Sequence, residues 1–125
     1  MGKKHSPQFE KLCSEARACI CEISADQLND RLNSGKPFYL IDVRETEEWD
    51  RGHLPKAMHL SKGIIERDIE KTIPDFNAEI VCYCGGGYRS ALVVVNLERM
   101  GYTRLWSLEG GYRGWCEANR PVEGV

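Results

Sequence analysis

Ile80-Val81-Cys82-Tyr83-Cys84-Gly85-Gly86-Gly87-Tyr88-Arg89-Ser90 passes from an apolar run, through three consecutive glycines, into the start of a second apolar run. Ile80 to Tyr83 reads as a buried strand with Cys84 at its carboxyl end. Ser90 to Met100 is the ambiguous segment, because Leu92-Val93-Val94-Val95 has strand propensity. Eleven residues without a turn signal, closed by Gly101, favour a largely buried helix instead.

Outward from that unit the chain alternates. Upstream, Ile20–Ile23, Phe38–Val43 and Ala57–Leu60 are strand candidates, and Arg104–Leu108 is a fifth downstream. Between them lie a helix capped by Ser24 and ended at Gly35, a short one over Glu45–Arg51 stopped at Gly52, and a stretch near Gly63–Ile69. A last helix spans Tyr112–Asn119, before Pro121. Phe9, Leu12, Cys13 and Ala16 recur at helical spacing, so residues 7 to 18 form an amphipathic helix ahead of the alternation. This order predicts an α/β fold with a five-stranded, mainly parallel sheet, helices on both faces and an extra N-terminal helix. The division is a tail and helix over residues 1–19 and a domain over 20–125. With 125 residues in all, one domain is the expectation, large enough to fold without disulfide or metal staples.

Composition narrows the function classes. Seventeen Lys and Arg stand against nineteen Asp and Glu, with no long block of one sign. That balance argues against a general nucleic-acid binder, which needs a basic face. Apolar stretches such as Leu92–Val95 fall far short of the roughly 18 residues of a membrane span. The first twenty residues carry charges and no apolar core of a secretory signal, so a reducing, cytoplasmic setting with free thiols is expected. Met1-Gly2 with Ser6 matches a short acylation pattern of the kind that arises by chance.

In an open parallel sheet, ligands bind outside the carboxyl ends of the strands. Here those ends deliver Asp42 and Arg44, Ser61 and Lys62, Cys84 to Ser90, and Glu109 with Gly110. Only Cys84 is a strong nucleophile. Consecutive glycines let several backbone N–H groups converge on one spot at a helix start, which favours a thiolate and can hold an anion or an outer sulfur above it. Arg89 can brace the loop through its carbonyls or a carboxylate, or face a substrate. The remaining cysteines, Cys13, Cys19, Cys21, Cys82 and Cys116, contain no Cys-x-x-Cys pair. Cys82 is expected in the core. Cys19 and Cys21 with Cys82 and Cys84 are poorly spaced for a tetrahedral metal site, so no metal is expected. Gly85-x-Gly87-x-x-Ser90 lacks the third glycine of a dinucleotide fingerprint, and no cofactor is expected. His53 and His59 read as structural.

Four separated motifs occur in order: Leu40-Ile41-Asp42-Val43-Arg44 with Glu47-Glu48-Trp49; Gly52-His53-Leu54-Pro55 with Ala57; the Cys84 loop followed by Ser90; and Leu108-Glu109-Gly110-Gly111 with Trp115. Over residues 20 to 123 the chain resembles the single-domain rhodanese family. The resemblance implies the rhodanese α/β fold and sulfane-sulfur transfer through a cysteine persulfide. It implies Cys84 as the sulfur-accepting residue, Gly85, Gly86, Gly87, Tyr88 and Arg89 as its cradle, and Asp42, Arg44 and Glu48, with Ser90, as polar support. The Asp42 and Arg44 pair reads equally as an ion pair that stabilises the fold.

Two departures stand out. The loop positions after the cysteine often carry side chains in that family, sometimes basic ones, whereas Gly85 and Gly86 offer only backbone; Lys56 also replaces a usual glycine. A weaker use of thiosulfate, and a preference for a low-molecular-weight or protein persulfide, would follow from the first. Acceptors of the implied reaction are cyanide, glutathione or a protein thiol, with a sulfur-relay protein as a further partner. The related phosphatases have a catalytic loop one residue longer, whereas four residues separate Cys84 from Arg89 here. The alternative from another class is a rhodanese-like interaction module that docks a partner without chemistry.

Overall fold

Alternation within the central strand sets the architecture. In β4 (Glu79–Tyr83), Ile80 and Cys82 belong to one hydrophobic cluster and Val81 and Tyr83 to the other, as the two-residue period of a strand requires. All four are buried, so helices must cover both faces. The computed structural model describes residues 5 to 125, and the Met1-Gly2 part of the acylation pattern lies outside them.

The sheet has the order β1-β5-β4-β2-β3, with every neighbouring pair parallel. Its other strands are β1 (Glu22–Ile23), β2 (Tyr39–Asp42), β3 (Met58–His59) and β5 (Arg104–Leu108). Around them lie α1 (Pro7–Arg17), α2 (Ala25–Asn33), α3 (Thr46–Asp50), α4 (Ile65–Thr72), α5 (Tyr88–Arg99) and α6 (Gly111–Glu117). Ile41 of β2 pairs with Cys82, and Cys82 in turn with Ser107 of β5. β4 is therefore flanked on both sides, and whatever follows it must leave the sheet.

This resolves the Leu92–Val95 ambiguity. Val93, Val94 and Leu97 of α5 are buried against Ile80, Cys82 and Leu105. Burying one such side chain is worth about 1.5–3 kcal/mol, whereas β-branching costs a helix only about 0.5 kcal/mol per residue. The helix begins two residues earlier than Ser90, because Gly87 takes a left-handed φ of 94° as its N-cap. Tyr88 and Arg89 are thus its first turn rather than loop. The second cluster packs Leu28 of α2 and Trp115 of α6 against Leu40, Val81, Tyr83 and Leu108. A complete capping box of Ser24 and Gln27 starts α2. α1 packs on α5, with Cys13 and Ala16 buried beneath it. Among the described residues, no helix is long and apolar enough to cross a membrane.

Candidate active site

The end of β4 and the start of α5 are joined by Cys84 to Gly87 alone, and that tight connection turns backbone donors onto the thiol. The Gly87 amide donates to Cys84 Sγ at 3.1 Å and the Ser90 amide at 3.4 Å. Ser90 Oγ lies 3.5 Å from the same sulfur and 2.7 Å from Ser107 Oγ, which ties the site to β5. The amides of Gly85, Gly86, Tyr88 and Arg89 have no acceptor among the described residues. Two donors on the sulfur, in a segment whose other four amides lack an acceptor, favour negative charge at this point.

The loop's carbonyls are held from the other side. Tyr112 N donates to Cys84 O at 2.8 Å and Arg113 N to Gly85 O at 3.0 Å, so the first turn of α6 clamps the loop. A Cβ on Gly111 would stand 2.4 Å from Cys84 O, so this close approach requires glycine, as does its φ of 55°. In the sequence Gly111 stands only within the Leu108-Glu109-Gly110-Gly111 motif, with nothing local to mark this contact.

Arg89 takes the carboxylate option. Its guanidinium makes a two-pronged pair with Glu48 of α3, Nη1 to Oε1 at 2.7 Å and Nη2 to Oε2 at 3.0 Å. The arginine holds the Glu48 carboxyl down to about 2, with its backbone contact to Glu45 adding to the effect against a smaller cost of burial. Both side chains line the Cys84 cavity, but their charges cancel each other.

Asp42 and Arg44 form a buried pair of their own, with Arg44 Nη2 2.8 Å from Asp42 Oδ2 and 2.7 Å from Gly52 O. Tyr83 donates its hydroxyl to Asp42 at 2.7 Å and accepts from Leu54 N at 3.0 Å. Burial and the neighbouring carboxylate both push the Tyr83 phenol upward. The network joins the end of β2 to the segment before β3. Asp42 and Arg44 do not line the Cys84 cavity; Arg44 lines a neighbouring one with Glu48, Gly85, Tyr112 and Arg113. His59 Nε2 sits 2.8 Å from Arg44 O, and His53 stacks on Trp49 at 3.7 Å; neither lines either cavity.

The Cys84 cavity, about 450 Å³, is lined by Cys84, Gly85, Gly86, Glu48, Tyr88 and Arg89, and by three residues the sequence reading did not place there: His5, Phe9 and Arg113. In the sequence Phe9 marks only the packing face of a helix, and nothing in its spacing says which surface α1 meets. Arg113 had one available signal, its place just beyond the carboxyl end of β5. Its Nη1 would meet a Cβ on Gly86 at 3.1 Å, so α6 supplies the cation above a loop that has no basic side chain of its own. Cys82 is fully buried, and burial pushes its thiol up to about 12. Among the described residues, no group of three or more His, Cys, Asp or Glu side chains is arranged to hold a metal ion.

The family model for the rhodanese-like domain matches residues 24–118, from the Ser24 cap to the end of α6. A Bacillus subtilis protein named "Putative sulfurtransferase YtwF" is 35% identical over 102 residues, which span 82% of this chain and 96% of that protein. Another from the same organism, "Putative sulfur carrier protein YrkF", is 28% identical over 82% of this chain and 54% of its own length. A Rhodopseudomonas palustris protein of unknown function, described as a possible tyrosine phosphatase, superposes over 98% of this chain and 99% of its own, with a TM-score of 0.84. At 23% identity that likeness shows the fold alone. A family match over most of the chain, on a five-stranded parallel sheet that presents Cys84 at the end of its central strand, makes this chain a member of the rhodanese-like family of sulfurtransferases and sulfur carriers.

Proposed function

We propose that the chain transfers sulfane sulfur through a persulfide on Cys84. With thiosulfate as donor, the Cys84 thiolate attacks the outer sulfur, the bond between the two sulfurs breaks, and sulfite leaves with the electron pair. With a thiol persulfide, the same attack releases the inner sulfur as a thiolate, and the transferred sulfur gives up its proton to solvent to leave Cys84 as a persulfide anion. A cyanide or thiolate acceptor then attacks the outer sulfur of the Cys84 persulfide and restores the Cys84 thiolate. This is double-displacement chemistry through a covalent intermediate. The proposed setting is the reducing cytoplasm, in which unbridged cysteines remain thiols.

The observation that carries this reading is the amide count around the sulfur. Two N–H groups engage Cys84 Sγ, while the amides of Gly85, Gly86, Tyr88 and Arg89 in the same segment have no acceptor among the described residues. A second, negatively charged sulfur on Cys84 would satisfy them. In this reading Gly85 to Arg89 cradle that sulfur, Glu48 and Ser90 position the cradle, and Asp42 with Arg44 stiffens the adjoining strand. Phosphoryl transfer is disfavoured by the arginine that would have to meet the phosphate, since Arg89 is engaged by Glu48 at both nitrogens.

Incubation with thiosulfate or glutathione persulfide should add the mass of one sulfur atom to Cys84, and cyanide should remove it. A Cys84→Ser chain that retained full transfer activity would refute the assignment. The similarity to a protein named as a sulfur carrier supports a second reading, in which donor or acceptor is a protein. It would be favoured if Cys84 gained sulfur from a persulfidated protein and from neither small donor.

A further inference from the structure

The Cys84 cavity is larger than its chemistry demands. About 450 Å³ falls within the roughly 300–1,000 Å³ of sites that enclose small organic molecules, whereas thiosulfate has five heavy atoms. Its outer wall is aromatic and comes largely from outside the residues matched by the family model, which begin at 24. His5 lies edge-on to Tyr88 with ring centroids 4.5 Å apart and to Phe9 at 5.1 Å, and Phe9 lies 6.2 Å from Tyr88. This three-ring cluster couples the N-terminal segment to the first turn of α5, directly after the loop glycines. α1 is also anchored on the domain by Cys13 and Ala16, which are buried.

The charge in the cavity is equally specific. Glu48 and Arg89 neutralise each other. Arg113, the other guanidinium in the lining, has no ion pair among the described residues. It stands over Gly86, where a loop side chain would otherwise be. Aromatic surface on one side and a single uncompensated cation on the other suit a ligand with an organic body and a carboxylate.

We propose that His5 and Phe9, with Tyr88 and Arg113, make the N-terminal segment a specificity element of this pocket, which selects a carboxylate-bearing organic persulfide as sulfur donor over inorganic thiosulfate. The inference rests on the sulfurtransferase reading and names the donor class for it. The rings contact the organic body of the donor, and Arg113 pairs with its carboxylate while the terminal sulfur reaches Cys84.

The test compares the rates at which Cys84 gains sulfur from glutathione persulfide, cysteamine persulfide and thiosulfate. In the wild-type chain kcat/KM should favour glutathione persulfide. The double substitution His5→Ala with Phe9→Ala should lower the ratio of kcat/KM for glutathione persulfide over thiosulfate by about tenfold. Arg113→Ala should raise KM for glutathione persulfide and leave that for cysteamine persulfide, which has no carboxylate, little changed. Thermal melts of each variant report whether the fold is retained. Equal losses with every donor, or an unchanged ratio, would overturn the specificity role while leaving the sulfurtransferase reading in place. A wild-type chain that gains sulfur from none of the three would overturn this donor class, and one that also gained none from a persulfidated protein would overturn the sulfurtransferase reading with it.

Discussion

Gly111 and Gly87 show how much a single hydrogen in place of a methyl matters at this site. A Cβ at Gly111 would meet Cys84 O at 2.4 Å, Gly85 C at 2.8 Å and Gly85 O at 2.9 Å, all backbone atoms that cannot swing aside. At Gly87 the nearest atom is Leu108 O at 3.4 Å, an ordinary contact, and the cost is mainly that of a φ of 94°. Gly111→Ala is therefore expected to lose about 2–3 kcal/mol of stability and most of the sulfur-accepting rate of Cys84, because the clamp on the loop must open. Gly87→Ala should cost about 1 kcal/mol. Urea denaturation of both variants would check the order; equal tolerance at the two positions would contradict the clamp. The glycines at 85 to 87 were legible as a nest because the triplet is contiguous and follows a strand. Gly111 was not, because the backbone it touches is that of Cys84 and Gly85, more than twenty residues earlier.

Between elements, the pair of Glu48 on α3 and Arg89 on α5 spans 41 residues of sequence and braces one side of the loop. Because the Glu48 carboxyl is held below its ordinary 4.5, to about 2, the pair stabilises the fold fully above about 4.5 and loses that contribution as pH falls toward 2. Both side chains are about one-third exposed, so solvent screening keeps the effect near or below about 1 kcal/mol. The stability difference between wild type and Glu48→Gln should stay constant from neutral pH to about 5 and shrink between about 4.5 and 2. A difference that grew on acidification, read from urea midpoints across that range, would contradict the pairing. Element boundaries were legible where a side-chain cap is local, as at Ser24, whereas the start of α5 at Tyr88, after the Gly87 cap, lies two residues before the Ser90 that the apolar pattern suggests. The helical state of Leu92–Val95 is a matter of packing, since β4 already has a neighbour on each side.

At the scale of the molecule, the five cysteines other than Cys84 divide by environment. Cys19, Cys21 and Cys116 are exposed, whereas Cys13 and Cys82 are buried in the packing of α1 and β4. Burial pushes both buried thiols upward, and negative charge on Cys84 adds to the effect. In the native chain, iodoacetamide should label Cys19, Cys21 and Cys116 readily and spare Cys13 and Cys82 until denaturant is added; Cys82 reacting as fast as Cys19 would contradict the packing. The strand and helix order, the place of Cys84 at the carboxyl end of the fourth strand and the glycine nest were all determined by the sequence, since each depends on periodicity and turn chemistry within a few neighbouring residues. Only the tertiary structure decided that Arg89 is held by Glu48, that α6 clamps the loop from behind, and that His5, Phe9 and Arg113 wall the pocket. Those contacts join segments far apart in the chain, and their partners are selected by how helices pack across a twisted sheet, which no local pattern records.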